Sequence, residues 1–125
     1  MELNDITFKI RGAIFSVFKH LGPGLLEHVY EAALAHELRL LGLKIETQLA
    51  LPVLYKGVQL ELGYRLDILV ENEVIIEIKS VEKLHPVYKK QLLTYLRLSD
   101  KRLGILVNFN ASALIDKESI FRIIN

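Results

Sequence analysis

Gly63-Tyr64-Arg65-Leu66-Asp67-Ile68-Leu69-Val70-Glu71-Asn72-Glu73-Val74-Ile75-Ile76-Glu77-Ile78-Lys79 decides how this chain is read. Two strand-like runs, Leu60 to Val70 and Val74 to Lys79, flank the tight polar turn Glu71-Asn72-Glu73, which is the pattern of an antiparallel hairpin. Side chains alternate between the faces of a strand. In the first arm this predicts Leu66, Ile68 and Val70 on one face, with Arg65 and Asp67 on the other. In the second arm Val74, Ile76 and Ile78 share a face, opposite Ile75, Glu77 and Lys79. A carboxylate and a lysine therefore point the same way from an apolar strand. A buried carboxylate is costly unless it is paired or binds a metal. If the hairpin sets Asp67 beside Glu77, two hard oxygen donors converge, the set that Mg²⁺ or Mn²⁺ prefers. Lys79 would then set a positive charge beside the bound ion. The same residues would also suit a Glu77–Lys79 ion pair on a solvated strand face.

Working outward, Ile6 to Lys19 has apolar residues at helical spacing and is stopped by Leu21-Gly22-Pro23-Gly24. A second helix is expected from about Leu25 to Leu41, with Leu26, Val29, Ala33 and Leu40 along one side and Gly42 closing it. Gly22 and Gly24 are expected at a helix start, since no Gly-Lys-Ser/Thr phosphate loop accompanies them. Leu43 to Leu51 reads as a strand, and Tyr55-Lys56-Gly57-Val58 as a turn. Beyond the central hairpin, Pro86 can open a third helix reaching about Leu98, and Leu103 to Asn108 reads as a buried strand. Ser119 to Ile124 fits either an edge strand or a helix. The expectation is one domain over residues 1–125, an α/β sandwich around a central mixed sheet flanked by helices.

Half of the 125 residues are hydrophobic (51%) and 25% are charged, a globular balance that excludes a disordered chain. The absence of cysteine excludes disulfides, thiolate zinc sites and cysteine nucleophiles. No apolar stretch is long enough to cross a bilayer, and the N-terminus has no signal-peptide layout, so a cytoplasmic protein without membrane contact is expected. The net charge of +1 is uninformative, but its distribution is not. Lys79, Lys83, Lys89, Lys90, Arg97, Lys101 and Arg102 are set against Glu82 and Asp100 in one stretch. A basic flank beside carboxylates would draw a polyanion to a site that otherwise repels it. On charge alone, a solvated lysine-rich helix face is the favoured reading. The histidines lack the spacing of a zinc pair, and no Gly-x-Ser-x-Gly elbow is present.

Asp67 followed by Glu77-Ile78-Lys79 resembles the PD-(D/E)XK nuclease signature, with Leu66 where the name has proline. Gly24-Leu25-Leu26-Glu27-His28-Val29-Tyr30, preceded by Leu21-Gly22-Pro23, is similar to the naming motif of the small GxxExxY family within that superfamily. Gly63 to Asp67 and Gln91-Leu92-Leu93-Thr94-Tyr95-Leu96 match the family as well, so the resemblance covers almost the whole chain. It implies a restriction-endonuclease-like fold and metal-dependent phosphodiester hydrolysis, with Asp67, Glu77 and Lys79 catalytic. Mg²⁺ or Mn²⁺ would be held by Asp67, Glu77, the Ile78 backbone carbonyl and Glu27, the last by analogy with RecB-like nucleases. Gln91 and Tyr95 resemble the QxxxY pair that flanks such sites and contacts the nucleic-acid backbone, with Lys83, Lys89 and Lys90 beside them. Tyr30 and Arg65 take supporting places. The implied partner is nucleic acid, DNA ahead of RNA, and a chain this short is compatible with a homodimer or a place in a larger complex. Two other classes stay open: a nucleic-acid-binding module without turnover, and an interaction subunit that retains the fold.

Overall fold

In the computed structural model, residues 1–125 are described, the side chains of Glu61 and Leu62 excepted. Helices α1 (Leu3–Leu21) and α2 (Glu27–Leu40) precede strands β1 (Ile45–Tyr55), β2 (Val58–Val70) and β3 (Val74–Lys79). Helix α3 (Val87–Ser99) then leads to β4 (Leu103–Asn108) and β5 (Ile120–Ile124). The five strands lie in the order β1-β2-β3-β4-β5. All neighbours are antiparallel except β3 and β4, a parallel pair whose crossover is α3. The ambiguous tail is therefore a strand, pairing Ile120 to Ile124 with Val107 to Leu103. This is a mixed sheet between helical layers, a restriction-endonuclease-like α/β fold.

Each sheet face has its own core. Helices α1 and α2 pack Ile6, Ile10, Ile14, Tyr30, Leu34 and Leu38 on Ile68, Val70, Val74, Ile76, Ile78, Ile105 and Val107. On the other face, α3 packs Leu92, Tyr95 and Leu96 on Leu66, Leu69, Ile75 and Leu106. The fit is close: a Cβ built on Gly104 of β4 would lie 2.9 Å from the Leu92 side chain.

Three local expectations are corrected. The side of α2 expected to be apolar is the outer one: Leu26 is 65% and Leu40 69% exposed, while Tyr30, Leu34, Ala35 and Leu38 are buried. The 30–34–38 spacing makes the buried stripe once a tyrosine is allowed into it, because its hydroxyl finds partners. Gly22 and Gly24 do not open a helix. Gly22, at φ 67°, closes α1, and its N–H donates to the Phe18 carbonyl. The helix after them starts at Glu27. Finally, β1 runs on to Tyr55, so the turn shrinks to Lys56-Gly57, at φ 50° and 80°, the signature of a two-residue hairpin turn. Gly42 does close α2 as expected: at φ 82° it donates to Arg39 while Leu43 donates to Leu38, a Schellman closure.

Candidate active site

Strand β2 pairs with β3 only at Ile68–Ile76, Leu69–Ile75 and Val70–Val74. Towards its N-terminus β2 leaves β3 and continues with β1 alone as a long hairpin arm. Strand β3 keeps its pairing with β4 through Lys79–Asn108. The result is a fork whose backbone donors have lost their ladder partners. Two carboxylates take them. The Asp67 Oδ2 accepts from Ile78 N–H at 2.8 Å, and the Glu77 Oε1 accepts from Asp67 N–H at 3.2 Å. Lys79 C=O accepts from Phe109 N–H on the β4 side. N–H and C=O of one strand residue face the same neighbour, and successive residues face opposite neighbours. The Ile78 carbonyl therefore faces the fork, beside both carboxylates.

Burial makes this pair electrostatically tense. Glu77 is only 6% exposed, and Asp67 is half-buried. Desolvation, reinforced by the Asp67 charge, pushes the Glu77 carboxyl up to about 8. Burial also raises Asp67, against the lowering effect of its bond from Ile78 and of the Lys79 charge. The surface ion pair considered from the sequence does not form. Among the described residues, the ion pair within 4 Å is Arg11–Asp116, far along the chain. The Lys79 ammonium lies instead 4.5 Å from the centre of the Tyr88 ring.

Strand parity breaks at Asp67. Leu66 was expected with Ile68 and Val70, but it packs with Leu69 on the α3 face. The partner strand shows why. Gln48, opposite Asp67 in β1, has φ 51°, so Ile45 packs towards α1 and α2 while Leu49 and Leu51 pack towards α3. Arg65 clasps that irregular residue, its Nη1 donating to the Gln48 carbonyl at 3.0 Å. The Gln48 amide donates to Glu31 of α2 at 2.5 Å and to Asp67 at 3.4 Å. Glu31 is thereby drawn towards Asp67, and its carboxyl is raised, chiefly by burial.

The remaining expected residues fall into two groups. Tyr95 is buried above the pair. Burial and the nearby Glu77, Tyr64 and Asp67 push its phenol up to about 12. Gln91, Lys90 and Tyr88 line a cavity of about 400 Å³ with Tyr64 and Tyr95. Lys89 is turned away, its ammonium 4.0 Å from the Phe121 ring on β5, and Lys83 lines a separate depression with Asn108 and Asn110. Glu27 is the exposed first residue of α2. Tyr30 is fully buried, stacked on Phe109 with ring centres 4.4 Å apart. Its hydroxyl donates to Gly22 C=O at 2.6 Å and accepts from Leu25 N–H at 3.1 Å. The Leu25 carbonyl in turn accepts from the Ser80 hydroxyl. Tyr30 thus fixes the loop that ties α2 to the end of β3. Asn108 secures the same end: its side-chain amide bonds both the N–H and the C=O of Val81.

Sequence reading gave no site role to Glu31, Gln48, Tyr64 or Tyr88. Tyr88 could have been found, because 88, 91 and 95 lie on one helical face. Gln48 could not, since nothing in its neighbours announces a left-handed residue within a strand.

The donor chemistry fits a hard divalent cation: two carboxylates whose charges oppose each other and a backbone carbonyl facing the same fork. Among the described residues, no set of three or more His, Asp or Glu side chains is gathered to hold a metal. No described helix is long and apolar enough to cross a membrane. No curated protein and no solved structure matches the chain. A family model described as the PD-(D/E)XK nuclease superfamily matches residues 4–123, which include the fork, strands β1 to β4 and most of β5, and by that match the chain belongs to the PD-(D/E)XK nuclease superfamily.

Proposed function

We propose that residues 1–125 act as one nuclease domain that hydrolyses phosphodiester bonds in nucleic acid, DNA ahead of RNA, with Mg²⁺ or Mn²⁺ as cofactor. The observation that carries this reading is the Asp67–Glu77 pair, buried at a strand fork and held by backbone N–H groups rather than by a neutralising cation. Asp67, Glu77 and the Ile78 carbonyl would hold the ion, and α2 offers Glu27 or Glu31 to complete its shell. When bound, the ion polarises the phosphate and acidifies a water. Backbone donors already fix both carboxylates at the fork. Among the described residues Lys79 has no carboxylate within ion-pair distance, and its ammonium is available to the phosphate oxygens as negative charge develops on them. Lys90 and Gln91, on the exposed flank of α3, would hold the phosphate backbone.

The test is single-turnover cleavage of single- and double-stranded DNA and RNA with Mg²⁺ or Mn²⁺, comparing the parent with Asp67→Asn. Cleavage by the parent and its loss in the variant is the expected result. No cleavage of any substrate would leave the fold as a binding module. Equal cleavage by both proteins would place the activity elsewhere.

A further inference from the structure

The cavity beside the fork is more than a surface for a sugar-phosphate backbone. Its lining is unusually aromatic for a chain with five tyrosines and no tryptophan: Tyr64, Tyr88 and Tyr95 all contribute, with Gln91 and Lys90. The three rings come from two elements. Tyr88 and Tyr95 stand seven residues apart on α3, two turns along one face. Tyr64 comes across from the hairpin arm, its ring centre 4.9 Å from that of Tyr95 and tilted by 49°. Tyr64 remains 40% exposed, so its ring is not consumed by the core. Tyr88 carries the Lys79 ammonium over its ring, which links the cavity directly to the proposed reaction centre.

We propose that this cavity receives an unpaired nucleobase, so that the preferred substrate is single-stranded nucleic acid. The proposal rests on the nuclease reading only for where the scissile phosphate lies. Aromatic faces bind bases of any identity by stacking, with cations along the groove for the phosphates, and this combination marks single-strand sites. In a duplex the base faces are already stacked on their neighbours, so they are closed to Tyr64 and Tyr88. Lys90 supplies the charge for the adjoining phosphate, with the Gln91 amide as a further donor to it. Tyr64 also lines a second depression of about 520 Å³ along the arm, with Gln59 and Arg65. That depression adjoins the cavity at Tyr64 and is otherwise lined by Ala50, Leu51, Pro52, Leu60 and Gly63. The recess of the carboxylates points the same way: Glu77 is 6% exposed beneath the tyrosines, and a flexible strand reaches such a floor more readily than a rigid duplex.

The experiment measures binding, in EDTA so that nothing is cleaved, of short fluorescently labelled oligonucleotides by anisotropy. The set comprises a single strand, its duplex, a single strand of abasic residues, and the RNA counterpart. Binding of the base-bearing single strand is expected to be at least about tenfold tighter than that of the duplex or the abasic strand, and to quench the tyrosine emission. Tyr64→Ala should weaken it by about tenfold, Tyr64→Phe should restore it, and neither should change abasic-strand binding. Comparison of the DNA and RNA strands reads sugar preference within the same base pocket. Equal binding of abasic and base-bearing strands overturns the proposal, as does tighter binding of the duplex or indifference to Tyr64→Ala. These outcomes are independent of cleavage: a protein that binds bases in this way but never cleaves refutes the nuclease reading alone, and a duplex-preferring nuclease refutes the base pocket alone.

Discussion

The two faces of β3 are built from the same six residues with opposite physical consequences. Towards α1 and α2, Val74, Ile76 and Ile78 enter an apolar core and are at most 2% exposed. Towards α3, Ile75 is followed by Glu77 and Lys79, and the apolar packing ends at the fork. The first face stabilises the sheet by taking hydrocarbon out of water. The second places Glu77 beside Asp67 of β2, where burial opposes both charges. On the proposed reading, stability and chemistry are separated by the pleat of a single strand, and substitutions one residue apart should have unlike effects.

The largest stability effect is expected from the apolar face. Ile76→Ala removes a fully buried side chain from the centre of the sheet and should cost about 2–5 kcal/mol in urea or thermal unfolding. Its residual folded fraction should keep the parent's rate per folded molecule. On the opposite face, Lys79→Ala should lower the single-turnover cleavage rate by about a hundredfold or more, as expected when one preorganised charge is lost. Its melting temperature should stay within a degree or two, since among the described residues Lys79 makes no ion pair within 4 Å. A large loss of stability in Lys79→Ala, with little loss of rate, would erase the distinction between the faces.

The carboxylate pair sharpens the comparison through pH. The Glu77 carboxyl is raised in the folded protein from an ordinary 4.5 to about 8, so the folded state holds its proton more tightly than the unfolded chain. Stability from this group is greatest at low pH and falls as pH rises from about 4.5 to about 8, where the folded carboxyl finally ionises. In EDTA, Glu77→Gln should therefore remove part of the downward slope of melting temperature with pH, and should exceed the parent at pH 8 by a few degrees. Millimolar Mn²⁺ should raise the parent's melting temperature at pH 8 by mass action, with much less effect on Glu77→Gln. Parallel melting profiles of the two proteins in EDTA would mean that Glu77 ionises without strain.

Much of this architecture was legible because hydrophobic period survives in the sequence. The period-two runs on either side of Glu71-Asn72-Glu73 located the central hairpin, and the helical spacing of Ile6, Ile10, Ala13, Ile14 and Val17 gave the buried face of α1. Parity alone also set Glu77 and Lys79 on one face, where they stand with Ile75. What was not legible depends on backbone twist or on a polar atom's partner. The left-handed Gln48 reverses the facing of both strands at Asp67, and no local composition encodes it. The α2 face was misread because Leu34 and Leu38 line up only with Tyr30, whose single hydroxyl is satisfied by Gly22 and Leu25.

That tyrosine also gives the smallest and most discriminating prediction. Tyr30→Phe keeps the stack on Phe109 and removes only the hydroxyl, so the Gly22 carbonyl and the Leu25 N–H lose their partner. Both lie where water has partial access, and the expected cost is about 1 kcal/mol, near the usual net worth of a hydrogen bond. For a domain of this size that lowers the melting temperature by a few degrees. The loop it releases holds Ser80, the residue after Lys79, so the rate should fall only modestly, by loss of positioning. A residue that touched the reacting phosphate would behave in reverse, with the rate falling as far as in Lys79→Ala and the melting temperature unchanged. Measuring both quantities on Tyr30→Phe therefore decides which side of the sheet this motif serves. Unequal losses in the first sense assign it to the packing that positions β3, and in the second sense move it into the active site.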